Sequence, residues 1–140
     1  MSGVLIDTTV LIRAFQTDIE DPRTAKAKEA VEDLARRGTG FVAAQNLDEF
    51  AALLLKRAQP AIEPVRLRDA LSGIEEVFGV LRPGARTLAG ALRGAEKHRL
   101  GFWDSMIWAV AYENGIDEVL TADPPARPEI EGVHYRTPFA

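Results

Sequence analysis

The sequence predicts an α/β domain built on a mainly parallel sheet of four to five strands, with helices on both faces. Three observations point there. Short branched apolar runs, of the kind that fill buried parallel strands, alternate with segments whose apolar residues recur at helical spacing. Breakers such as Gly38, Pro83, Gly84 and Gly115 fall between them. The 140 residues hold no internal repeat, linker or low-complexity stretch, which fits a single domain over residues 1–140 with its own core.

Taken in order, Val4, Leu5 and Ile6 form a first strand that ends at Asp7. Strand ends of this kind face the ligand crevice of an open α/β sheet, so Asp7 is aimed at that crevice; it equally suits the N-cap of a helix from Thr8 to Phe15. "TAKAKEAVEDLARRG" sets Ala27, Val31 and Leu34 on one helical face and stops at Gly38. "FVAA", residues 41–44, is a second buried strand, and "NLDEFAALLLKRA" a helix with Leu47, Phe50, Leu54 and Ala58 inward and Asn46 as its N-cap. Pro60 and Pro64 mark a turn before the helix "VRLRDALSGIEEVFG", which leads to a short strand at Gly79 to Leu81. "RTLAGALRGAEKHR" is a helix burying Leu88, Leu92 and Ala95. The next helix opens at Asp104, buries Ile107, Trp108 and Ala111, and ends at Asn114 and Gly115. "EVLT" and "VHYR" supply the last strands.

Composition removes several chemistries. Without cysteine there is no disulfide framework, no thiolate nucleophile and no Cys-based zinc site, which favours a reducing, cytoplasmic setting. The start of the chain lacks a signal-peptide pattern, and no apolar run approaches the roughly 20 residues that span a bilayer, so a soluble, unprocessed protein is expected. A net charge of -4 argues against a broad nucleic-acid-coating surface but permits a local basic stripe beside an acidic centre. His98 and His134 pair with no Ser or Cys arrangement, and no Gly-rich phosphate loop is present.

Asp7, Glu49, Asp104 and Asp123 all sit at element ends, from which separate pieces of an α/β sheet converge on one crevice. Their oxygens would suit Mg²⁺ or Mn²⁺ rather than zinc or copper. Each also has a plainer reading. Asn46 with Glu49 resembles a capping box, and Asp48 is an alternative ligand. Asp104 serves equally as a helix-dipole acid, and Asp123 as a turn residue before proline.

"VLIDTTVLI", "QNLDEFAALLLKR", "LGFWDSMIWAVAYENGIDEVLTAD" and the terminal "TPF" resemble, in order and spacing, the PIN domain, in particular the VapC-type toxin ribonucleases of bacterial toxin-antitoxin modules. The resemblance covers nearly the whole chain and is most specific over residues 100–123. It implies a PIN-like three-layer fold and an acidic metal site of Asp7, Glu49, Asp104 and Asp123. Its further implications are endoribonuclease activity leaving 5′-phosphate and 3′-hydroxyl ends, a homodimer, and an antitoxin partner. Where the family often has Asn two residues after the first Asp, this chain has Thr9, and Pro124 and Pro125 stiffen the loop after Asp123.

The expected division of labour gives Asp7 and Asp104 the principal ion, with Glu49 and Asp123 orienting water or completing a second site. Thr8, Thr9 and Thr121 support the acids by hydrogen bonds. Arg86, Arg93 and Lys97 fall on one helical stripe that would follow an RNA backbone, a solvated face being the plainer reading. Trp103 and Trp108 are read as core or near-core packing, and nothing in the sequence marks a stacking platform. The competing classes are a non-catalytic PIN-like module that binds RNA or protein, and an RNA-processing PIN nuclease that is not a toxin. A receiver-like phosphorylation domain ranks last, because the clustered acids and Lys-Pro it needs are missing.

Overall fold

The apolar runs become the inner strands of one sheet. The computed structural model describes residues 3–16, 20–57 and 62–139. Strand β1, Val4–Ile6, is buried throughout and lies parallel to both β2, Gly40–Ala43, and β4, Glu118–Leu120. β3, Gly79–Leu81, extends the sheet beyond β2, and β6, Val133–Arg136, extends it beyond β4, again in parallel. The sixth strand is β5, Glu129–Ile130, antiparallel to β6, so the order is β3-β2-β1-β4-β6-β5. That strand exceeds the four to five expected. It exists because Glu131 and Gly132 both take positive φ, 50° and 88°, the backbone a two-residue hairpin needs to match strand twist.

Side chains alternate across the sheet with period two and divide the core into two halves. Val4, Ile6, Val42 and Leu120 face one cluster, completed by α1, Thr8–Phe15, α2, Pro22–Arg37, α3, Ala44–Arg57, and α4, Pro64–Val77. Leu5, Ala43 and Val119 face the other, completed by α5, Thr87–His98, and α6, Phe102–Glu113. The result is three layers. Ala58 and Pro60, assigned above to a helix face and a turn, lie outside the described residues.

The helix ends follow local chemistry. Asp21 caps α2 by accepting from the Arg23 amide at 2.9 Å, with Pro22 in the first turn, and Gly38 ends the helix at φ 67°. Helix α6 begins at Phe102, two residues before the expected start, so Asp104 lies in its first turn.

Helix α5 corrects the sequence reading. Leu88 and Leu92 are 52% and 54% exposed, and Ala95 is half-buried; the buried face is Thr87, Ala91 and Gly94. The reason is the closeness of α5 to α6. A Cβ on Gly94 would stand 2.7 Å from Ser105 Oγ and from the Trp108 ring, and Ser105 Oγ donates to the Ala91 carbonyl at 2.6 Å. Only small residues fit this contact, so the leucines rotate outward.

Candidate functional site

From β1 the chain runs outward through β2 to β3, then returns to place β4 on the opposite side of β1. Such a reversal opens a crevice at the carboxyl ends of the two strands. Asp7 leaves β1 at this point, and its amide donates to the Leu120 carbonyl at 2.9 Å. Thr121 and Asp123 leave β4 beside it.

Asp7 serves two purposes at once. Its Oδ1 caps α1, accepting from the Thr8 amide at 2.9 Å, and also accepts from Asn46 Nδ2 at 3.2 Å. Its Oδ2 accepts from Thr121 Oγ1 at 2.8 Å and from Thr9 Oγ1 at 3.3 Å. Burial raises the Asp7 carboxyl above the usual carboxylate range, hydrogen bonds from Thr121, Thr8 and Thr9 oppose the rise, and the negative charge of Asp104 adds to it.

Asn46 is the main correction among the polar residues. It lies inside α3, not at its N-cap, and is fully buried. Its Oδ1 accepts from the Ala43 amide at 3.0 Å while Nδ2 reaches Asp7 and, at 3.1 Å, Thr8 Oγ1. It therefore fastens the end of β2 to the carboxylate after β1. The capping box with Glu49 does not form. Glu49 is exposed, with Gln45 Nε2 donating to its Oε1 at 3.1 Å and Thr8 Oγ1 at 3.5 Å.

Asp7, Asp104 and Asp123 line one cavity of about 70 Å³ with Leu100, Ile107, Val119, Thr121, Pro125 and Tyr135. Glu49 lines a neighbouring groove of about 610 Å³, whose wall also includes Asp123, Thr8 and Thr9. Asp123 thus belongs to both. Thr9 bridges the crevice: it accepts from the Ala122 amide at 3.0 Å and lies 3.4 Å from Thr121 Oγ1. Tyr135 is a cavity residue that sequence reasoning missed. Burial, then the charges of Asp104 and Asp7, push its phenol above its ordinary range, so it stays protonated. The alternation of "VHYR" was the available signal, since a strand beside β4 sends alternate residues toward α6.

Other expectations divide. Trp108 is fully buried and donates from Nε1 to the Ile130 carbonyl at 3.1 Å, as a core tryptophan should. Trp103 is 63% exposed, neither core nor near-core. In the first turn of α6, its position points away from α5, which Ser105 and Trp108 face. The basic stripe is not uniformly free. Arg93 pairs with Glu131 at 2.9 Å and lies over the Trp108 and Tyr112 rings, while Arg86 and Lys97 are exposed.

Oxygen-only donors and rotatable threonine hydroxyls fit a hard cation that keeps part of its water shell. The cage is not closed: among the described residues no group of three or more His, Asp or Glu side chains is drawn together as a ligand cluster. No helix among the described residues is long and apolar enough to cross a membrane.

Comparison with solved structures finds the same fold. A toxin-antitoxin complex from Klebsiella pneumoniae superposes with a TM-score of 0.71 at 21% identity, covering 97% of this chain and 98% of that one. DNA-bound VapBC from Salmonella typhimurium gives 0.67 at 20% identity, covering 99% of each chain. VapC20 of Mycobacterium tuberculosis, a toxin that cleaves the sarcin-ricin loop, gives 0.64 at 21% identity, covering 84% and 87%. No curated protein matches the sequence. The sequence matches the PIN domain over residues 4–126, and with the fold in agreement the chain belongs to the PIN domain family.

Proposed function

We propose that this protein is a Mg²⁺- or Mn²⁺-dependent endoribonuclease, the toxin of a toxin-antitoxin pair, acting in the cytoplasm as a homodimer. The observation that carries the reading is the meeting of Asp7, Asp104 and Asp123, from three distant parts of the sequence, around one cavity at the sheet's switch point. Structural neighbours crystallised as toxin-antitoxin complexes support the antitoxin partner. An acidic cleft would be silenced by a basic or bulky segment of that partner.

Asp7 and Asp104 would hold the principal cation, with Glu49 and Asp123 orienting the attacking water. A bound divalent ion supplies Lewis-acid stabilisation of the charge that builds on the phosphate. The chain does the positioning. Thr8, Thr9, Thr121 and Asn46 fix the Asp7 carboxylate through its four hydrogen bonds, the threonines of the crevice and Asn46 both contributing. One neighbouring carboxylate would take a proton from water as the water oxygen bonds to phosphorus; the bond from phosphorus to the 3′-oxygen breaks, and that oxygen takes a proton from solvent, giving 5′-phosphate and 3′-hydroxyl ends. Tyr135, kept protonated, offers a donor to a phosphate oxygen. Arg86 and Lys97 would meet the RNA backbone, and Arg93 less so because Glu131 engages it.

The second reading, a PIN scaffold that binds without cutting, is favoured by the open arrangement of the carboxylates. A cleavage assay on single-stranded RNA separates the two. Cutting in Mg²⁺ or Mn²⁺, its loss in chelator, and a fall of at least about a hundredfold in Asp7→Asn are expected. RNA binding with no metal-dependent cutting would establish the scaffold instead. Expression in cells, with new RNA ends mapped and growth followed, separates toxin from RNA-processing nuclease.

A further inference from the structure

An exposed aromatic pair opens α6, in the same first turn that carries Asp104 into the acidic cavity. Phe102 and Trp103 are 41% and 63% exposed, and their ring centroids lie 4.8 Å apart, edge to face. The next residue is Asp104, and Ile107, one turn beyond Trp103 on the same helical stripe, lines the cavity. The exposure is selective. Trp108, on the same helix, is wholly buried, so α6 has a core position for an indole and still presents a second one to solvent. Large aromatic surfaces are costly to leave in water, which makes such a ring a candidate contact for a ligand.

We propose that Trp103, steadied by Phe102, is a stacking platform for a nucleobase of single-stranded RNA whose backbone passes the cavity of Asp7, Asp104 and Asp123. This rests on the ribonuclease reading and adds to it how the substrate is held. A base is favoured over a protein side chain for two reasons. The pair is small, and it shares a helical turn with Asp104 of the carboxylate-lined cavity. The exposed Tyr112 of the same helix, nine residues on, lies half a turn round, so the two do not merge into one apolar face. Every base has a π-face, so the platform would tighten binding with little sequence preference, and it leaves the choice of cut site to other contacts.

Trp103→Ala should raise KM for single-stranded oligoribonucleotides by about 5- to 150-fold with kcat little changed, the pattern of lost binding shared by ground and transition states. Trp103→Phe should retain most of the binding, because a π-face remains. Melting temperatures of both should match the wild type, since the ring is mostly exposed. In the Asp7→Asn protein, which should bind without cutting, oligoribonucleotide should quench the solvent-exposed indole emission, which belongs to Trp103 because Trp108 is buried.

Cleavage with a wild-type KM in Trp103→Ala overturns the platform and leaves the nuclease reading intact, whether or not that change weakens a protein partner. Quenching in a wild type that never cuts leaves the platform standing and overturns the nuclease reading. Absence of quenching together with unchanged binding of labelled oligonucleotide by Trp103→Ala also overturns it.

Discussion

At the residue scale, one carboxylate can satisfy two readings that looked like alternatives. Asp7 caps α1 with one oxygen and turns the other toward the crevice, because helix start and strand end coincide there. Asn46 holds that arrangement, and its loss would orphan the Ala43 amide in a buried place. Asn46→Ala is therefore expected to cost about 1–3 kcal/mol by urea unfolding and to reduce activity through misplacement of Asp7. Glu131 gives the clearest pH dependence. Its hydrogen bond from Arg93, then that with His98, lower its carboxyl from 4.5 to about 2. Between those values the unfolded chain takes up a proton that the folded chain refuses. The contribution is thus complete above about pH 4.5 and lost as pH falls toward 2. Glu131→Gln should be less stable near neutrality by about 1 kcal/mol after solvent screening, with a flatter acid limb in urea midpoints measured from pH 7 to 3.

At the element scale, α5 shows why helical periodicity alone misplaces a buried face. Leu88 and Leu92 repeat at the right spacing, yet Thr87, Ala91 and Gly94 do too, and the closeness of α6 selects the small set. Gly94→Ala should destabilise by about 1–3 kcal/mol through overpacking against Trp108. Leu88→Gln and Leu92→Gln should stay within about 0.5 kcal/mol, the ordinary effect of a surface change. The reverse ranking in thermal or urea unfolding would restore the leucines to the core. Strand β5 escaped notice because two residues carry almost no periodicity, although Glu131–Gly132 between Ile130 and Val133 is a weak form of the hairpin dipeptide.

At the scale of the whole molecule, topology creates the acidic cavity and charge sets its cost. The charge of Asp104 opposes ionisation of Asp7 across the crevice. Without metal, Asp104→Asn should melt slightly higher than the wild type near neutral pH, because one of two repelling charges is gone. Adding Mg²⁺ should raise the melting temperature of the wild type more than that of the variant, since a cation that binds the folded chain stabilises it in proportion to its affinity. Equal shifts in scanning fluorimetry would remove Asp104 from the set of proposed ligands.

The chain by itself determined the alternation of strands and helices, the stops at Gly38 and Gly115, and the acids stationed at element ends, because these depend on neighbours a few residues apart. Only the tertiary structure decided which acids share a cavity, that Glu49 belongs to the adjoining groove, that Asn46 and Tyr135 join them, and that Trp103 faces water. Those outcomes depend on strand order and on how closely two helices approach, which are sums over contacts between residues far apart along the chain.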